Sequence, residues 1–319
     1  MYDPKCVLIT GCLGFIASHL TVYLVIHYPE IQFIGIDKET YCSNAKNIAE
    51  ISSAPNFIYQ KLDLTNENDV ITLFKAYPID TVYHLAAYSH VDLSFHNSIL
   101  FTLNNVLATH ILIETARTYS IRRFIHVSTD EVYGSKDETL HENCILDPTN
   151  PYAASKASAE HIVRSYYHSF RFPIIITRSN NIYGPKQYDE KVIPRFCSRL
   201  LSNQPCFIQG SGEQKRSFLY VDDVVRAFDL ILFSGGIGEI YNIGSSDEIT
   251  VNDLAKMMIN IISPDASIEY GPDRPFNDHR YFLNSSKVEQ LGWTKIVSFS
   301  EGLRKTIDWY RDNSDYWKS

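Results

Sequence analysis

Two short stretches hold most of the side chains able to do chemistry. In Ser128-Thr129-Asp130-Glu131 two carboxyls stand side by side. Adjacent acids repel when both are ionised, and burial adds to that cost, so one can stay protonated near neutrality while the other is charged; such a pair can serve as general acid and general base. In Tyr152-Ala153-Ala154-Ser155-Lys156 a phenol and an ammonium stand four positions apart, which on a helix puts them on one face. A free phenol ionises near pH ~10, so using it as a base at neutrality calls for roughly 4 kcal/mol of phenolate stabilisation, part of which a neighbouring cation supplies. A third stretch, Thr10-Gly11-Cys12-Leu13-Gly14-Phe15-Ile16-Ala17, reads GxxGxxA. Glycines permit a tight turn and close approach of backbone to a pyrophosphate, and Ala17 lets the next helix pack on a sheet with its N-terminus facing the phosphates. Asp37 can accept hydrogen bonds from a ribose diol and would repel a 2′-phosphate, which favours NAD over NADP; Lys38 is read either as a phosphate-binding cation or as a surface lysine. Each motif taken singly also has a plain structural reading, an acid pair as a solvated turn and a glycine turn as helix–strand packing.

Positioning these groups requires a scaffold, and the apolar pattern supplies one. Short apolar runs at Cys6–Ile9, Phe33–Ile36, Phe57–Tyr59, Thr81–His84, Phe124–Val127 and Ile174–Thr177 alternate with amphipathic stretches, the rhythm of βαβ units around a buried parallel sheet. The fold class expected is α/β, a doubly wound parallel sheet of the NAD-binding Rossmann-like kind with a smaller C-terminal α/β substrate lobe. The first domain is assigned to residues 1–177, with 213–235 returning to it, and the interleaved substrate lobe to 178–319. The acid pair then lies at the carboxyl end of the fifth strand, where open α/β sheets bind ligands. A net charge of −8 argues against a nucleic-acid groove. The six cysteines include no CxxC pair and the histidines no metal-ligand spacing, so no metal is expected. No export signal or membrane span is read, and the expected location is cytoplasmic.

Taken together, the glycine turn and Tyr152-x-x-x-Lys156 resemble the extended short-chain dehydrogenase/reductases over essentially the whole chain. Ser128-Thr129-Asp130-Glu131-Val132-Tyr133-Gly134 resembles, more narrowly, the signature of the nucleotide-sugar 4,6-dehydratases of the dTDP-glucose or UDP-glucose type. The resemblance implies that Tyr152, helped by Lys156 and Thr129, takes the proton of the sugar 4-hydroxyl as NAD oxidises C4. Glu131 then removes the C5 hydrogen while Asp130 protonates the departing 6-hydroxyl, and reduction at C6 gives a 4-keto-6-deoxy sugar. It also extends the cofactor site from Gly11, Gly14, Phe15, Ile16, Ala17, Asp37 and Lys38 to Asp63, Leu64, Leu85, Ala86, Ala87 and Ser89. On the substrate side it points to His90, Thr129, Asn181, Lys191, Val192, Arg216, Asn242, Arg274, Asn277 and Tyr281, with the two arginines as diphosphate ligands. A homodimer formed through segments 105–119 and 152–170 is expected from the same resemblance.

Departures are Cys12, Leu13 and Ala108, none of which removes a catalytic group. The stretch Arg274–Tyr281 looks closer to the dehydratase domain of UDP-rhamnose synthases, so the nucleobase is left open between thymine and uracil. An NAD-dependent 4-epimerase, which would not need the acid pair, and a non-catalytic NAD-binding scaffold are the competing readings.

Overall fold

The six apolar runs become strands β1 (Cys6–Thr10), β2 (Gln32–Asp37), β3 (Phe57–Lys61), β4 (Thr81–His84), β5 (Arg123–Val127) and β6 (Ile174–Ser179) in the computed structural model, which describes residues 2–317. Further along the chain come β7 (Asn181–Tyr183), β8 (Cys206–Gln209), β9 (Lys215–Tyr220), β10 (Ile240–Ile243), β11 (Glu248–Thr250) and β12 (Ile268–Gly271). The main sheet has seven parallel strands in the order β10-β6-β5-β4-β1-β2-β3. Its strands are continuous apolar runs because both faces are covered. Side chains alternate across the sheet. Val7 and Ile9 pack with Leu20 and Leu24 of helix Phe15–His27 and with Phe228 and Ile231 of helix Val221–Ser234. Leu8 and Phe124 face the other way, onto Leu73, Leu112 and Val163 of helices Glu67–Ala76, Ala108–Thr118 and Pro151–Phe170. Each such buried aliphatic or aromatic side chain contributes about 1.5–3 kcal/mol.

Strand order reverses between β1 and β4, which opens a crevice at their carboxyl ends. A smaller lobe stands over it. Its sheets, β11-β9-β7 and β12-β8, are packed with helices Val192–Leu201, Val251–Ile262 and Phe299–Asp312 around Phe196, Leu254, Met258 and Leu303.

One sequence expectation differs from this arrangement. The chain returns to the main sheet through helix Val221–Ser234 and β10, whereas β9, placed in the returning segment 213–235, pairs within the small lobe. Asn242 breaks the apolar run of β10, which follows the glycines of 235–238, so it does not stand out as a seventh strand. Helix Ser98–Thr118 is by length and composition alone long and apolar enough to cross a membrane. Half of it is buried in the fold, packed against helix Pro151–Phe170. At Thr102–Leu107 its backbone widens into a π turn, a feature that often marks functional sites, and Asn104 of that turn lines the crevice.

Candidate active site

Strand β5 ends at Val127, and the chain turns at once into a short 3₁₀ segment, Asp130–Tyr133, capped by the Thr129 side chain, which accepts from the Glu131 N–H at 3.3 Å. This turn carries both acids into the crevice. Asp130 is buried; its Oδ2 accepts from Asn180 Nδ2 at 2.8 Å and its Oδ1 from the Thr129 hydroxyl at 3.2 Å. Burial, and then the charge of Glu131, push its carboxyl up to about 7. Glu131 accepts from Asn150 Nδ2 at 3.2 Å, and burial raises it while Lys191 and Arg216 oppose the rise. Both acids accept from neutral donors and both feel Arg216, whereas Lys191 acts on Glu131.

Helix Pro151–Phe170 starts where it does because Asn150 caps it, accepting from the Ala153 N–H at 2.8 Å, and Pro151 occupies the first helical position. Tyr152 and Lys156 therefore face the crevice one turn apart. Lys156 Nζ donates to the Val127 carbonyl at 2.7 Å, which ties it to the strand that delivers the acids. Burial lowers its ammonium to about 8, and burial and the Glu131 charge raise the Tyr152 phenol. In the absence of a further positive charge this phenol stays protonated.

Across the crevice, Gly11 adopts φ 73°, a left-handed conformation, and a Cβ there would sit 2.9 Å from the Ala86 backbone. Helix Phe15–His27 begins at Gly14 with no side-chain cap, so its first N–H groups are available to an anion. This cradle suits the pyrophosphate of a dinucleotide. Asp37 closes β2, accepting from the N–H groups of Leu13 (3.1 Å) and Glu39 (2.8 Å) and from the Ser43 hydroxyl (2.9 Å). Lys38 lines the same crevice; its Nζ donates to Asn104, lies 4.9 Å above the Tyr88 ring and is 3.8 Å from Asp63. Phe15, Ile16, Ala17, Asp63, Leu64, Leu85, Ala86, Ala87 and Ser89 line the same crevice.

Of the substrate-side candidates, His90, Asn181, Lys191, Val192, Arg216, Arg274, Asn277 and Tyr281 line the lobe half of the crevice. Arg274 Nε is 2.6 Å from Asp92, which also lies 3.6 Å from His90. Against the burial that would raise it, His90 and Arg274 hold the Asp92 carboxyl down at about 2. Arg216 donates to Asn277 Oδ1 at 3.2 Å, its guanidinium lies 5.5 Å over the Tyr281 ring, and Lys191 donates to the Ser89 carbonyl.

Asn242 is a correction. Sitting on edge strand β10, it is fully buried away from the crevice, accepting from the Tyr133 hydroxyl at 2.8 Å and donating to the Leu140 carbonyl at 3.1 Å. Sequence reasoning also passed over Asn150, Asn180 and Asp278. Asn180 follows the carboxyl end of β6 and Asn150 precedes a proline at a helix start, signals that were available. Asp278, which accepts from the Thr149 hydroxyl at 2.7 Å, gave none.

The profile described as GDP-mannose 4,6 dehydratase matches residues 8–306. A dTDP-D-glucose 4,6-dehydratase of Homo sapiens is 48% identical over 99% of this chain and 92% of its own length. A trifunctional protein of Arabidopsis thaliana with UDP-glucose 4,6-dehydratase among its activities is 47% identical over 99% of this chain, which spans 49% of that protein. Among solved structures, the dTDP-glucose 4,6-dehydratase DesIV of Streptomyces venezuelae, determined with NAD bound, superposes with a TM-score of 0.94 at 36% identity, covering 98% of this chain and 99% of that one. The chain belongs to the GDP-mannose 4,6 dehydratase family, within the extended short-chain dehydrogenase/reductases.

Proposed function

We propose that this protein is an NAD-dependent nucleotide-sugar 4,6-dehydratase that converts dTDP-glucose or UDP-glucose to the 4-keto-6-deoxy sugar nucleotide and water. The observation that carries the reading is the adjacent buried acid pair, with the Asp130 carboxyl pushed up to about 7 and Lys191 opposing the rise at Glu131, on one crevice wall with Tyr152 and Lys156. Relatives and solved neighbours of the same size and fold that carry dehydratase names support it.

NAD, when bound, supplies the reversible two-electron acceptor that oxidation at C4 and reduction at C6 require. Its pyrophosphate would lie against Gly11, Gly14 and the uncapped helix start, and its adenosine ribose against Asp37. Tyr152 accepts the proton of the 4-hydroxyl, with the Lys156 ammonium stabilising the phenolate. The resulting ketone acidifies the C5 hydrogen. Glu131, kept ionisable by Lys191 and Arg216, removes that proton, while Asp130, substantially protonated near neutrality, delivers a proton to the 6-hydroxyl as the C6–O bond breaks. Protonation at C5 then completes the sequence. An epimerase would return the hydride to C4 on the other face of the ketone, without losing water, and leave the pair without work.

The exposed apolar stripe Ile99, Leu103 and Leu107, 72%, 45% and 42% accessible at four-residue spacing, supports a homodimer built on this helix and its neighbour Pro151–Phe170. Incubation of the purified protein with dTDP-glucose and UDP-glucose separately tests the activity. A 4-keto-6-deoxy product from either is expected, and a galacto-configured sugar nucleotide would overturn the reading.

A further inference from the structure

The far end of the acid turn is anchored by Tyr133, a residue the mechanism does not use. Tyr133 is fully buried; its hydroxyl donates to Asn242 Oδ1 at 2.8 Å and accepts from Arg178 Nη1 at 2.6 Å. Arg178, also without exposure, lies 4.6 Å over the same ring and donates to the Glu142 carbonyl at 3.1 Å. Its guanidinium forks onto Glu160, one contact being Nε to Oε2 at 3.0 Å. Glu160 belongs to helix Pro151–Phe170, where Tyr152, Lys156 and Glu160 recur at every fourth position. One dry chain of hydrogen bonds therefore joins the acid turn, the helix of the phenol and ammonium, β6 and β10.

We infer that Tyr133 is a positioning residue for the elimination step, its hydroxyl fixing the Asp130–Glu131 turn relative to the Tyr152–Lys156 face through Arg178, Glu160 and Asn242. The inference rests on the dehydratase reading above. Only two residues separate Asp130 from Tyr133, and Gly134 locks the exit: its φ is 70°, and a Cβ there would meet the Asp147 carbonyl at 2.2 Å. With both ends of so short a turn held, the carboxyls have little freedom. Tyr152 and Lys156 keep their own anchors, the Asn150 cap and the Val127 carbonyl, so loosening Tyr133 acts on the acids selectively.

The test is Tyr133→Phe in the NAD-loaded enzyme, followed through a single turnover by the absorbance of reduced nicotinamide and by product formation. Removing the hydroxyl leaves a buried arginine N–H and the Asn242 carbonyl unpaired while the ring still fills its space. Water loss is expected to slow on the order of 10–100-fold, the cost of small misplacement of reacting groups, with C4 oxidation and KM little changed. Reduced nicotinamide then accumulates. Asn242→Ala, which removes one of the hydroxyl's two partners, should give a weaker form of the same accumulation and serves if Tyr133→Phe does not fold. Equal slowing of oxidation and elimination in a folded variant, or no change in either, overturns the inference. Failure of the unsubstituted enzyme to make a 4-keto-6-deoxy sugar would instead overturn the dehydratase reading.

Discussion

On the sheet side of the crevice, the acid turn is held by neutral amides, a capped helix and a buried hydrogen-bond chain; on the lobe side, Arg274, Lys191 and Arg216 are held by groups that a ligand can replace. Arg274 rests on Asp92 and Gln209, Lys191 on a carbonyl, and Arg216 on Asn277. The first wall is arranged before substrate arrives, as groups that act in a transition state must be. On the proposed reading, the second keeps Arg274 paired with Asp92, and Lys191 and Arg216 on neutral oxygens, until a diphosphate displaces those partners. Substitutions on the sheet wall should therefore lower kcat, and those on the lobe wall should raise KM.

The largest expected effect is that of Glu131→Gln. Loss of the base should cut water elimination by on the order of 10²–10⁴ while reduced nicotinamide still forms, measured by stopped-flow absorbance. Normal elimination in that variant would remove the assignment. Next is the pH profile of elimination. Because the Asp130 carboxyl is pushed up to about 7, its protonated form, and with it the acid, is lost as pH rises through that value. The rate of the elimination step should fall on the alkaline side with a midpoint near 7, and Asp130→Asn should abolish that limb along with most of the rate.

Arg274→Ala, on the other wall, should raise KM about tenfold to a hundredfold with kcat largely kept, as expected for loss of a charge-assisted contact to phosphate. A fall in kcat at unchanged KM would erase the contrast between the walls. The smallest effect is on stability. An acid whose carboxyl is raised in the folded state costs stability above its unfolded pKa, so Asp130→Asn should stabilise the fold by on the order of 2 kcal/mol near pH ~8 and by almost nothing near pH ~4. Denaturant unfolding at the two pH values checks this, and an equal effect at both would contradict it.

The six strands read from the sequence were legible because a parallel strand buried on both faces leaves an apolar run, as residues 6–9 and 174–176 do. The seventh, Ile240–Ile243, was not, since Asn242 breaks its apolar run between loop glycines. At the site, motif-borne residues such as Gly11, Asp130, Tyr152 and Lys156 could be read from type and spacing, and the fold brings them to one crevice. Long-range polar pairs could not. Arg178 and Glu160 are 18 positions apart and look in the sequence like a strand's polar end and an exposed helical acid, yet they form a buried pair. Asn242 was assigned to the substrate site for the same reason: its partner, Tyr133, is 109 residues away. Lys38 was judged by its neighbour Asp37, when its contacts come from Asn104 and Tyr88.

The most direct test of the central claim is to give the enzyme dTDP-glucose and UDP-glucose deuterated at C4 and to locate the label in the product. The account predicts deuterium at C6 of a 4-keto-6-deoxy sugar, because the acid pair expels water before the reducing equivalent returns. Deuterium retained at C4 of a sugar with inverted configuration would contradict it.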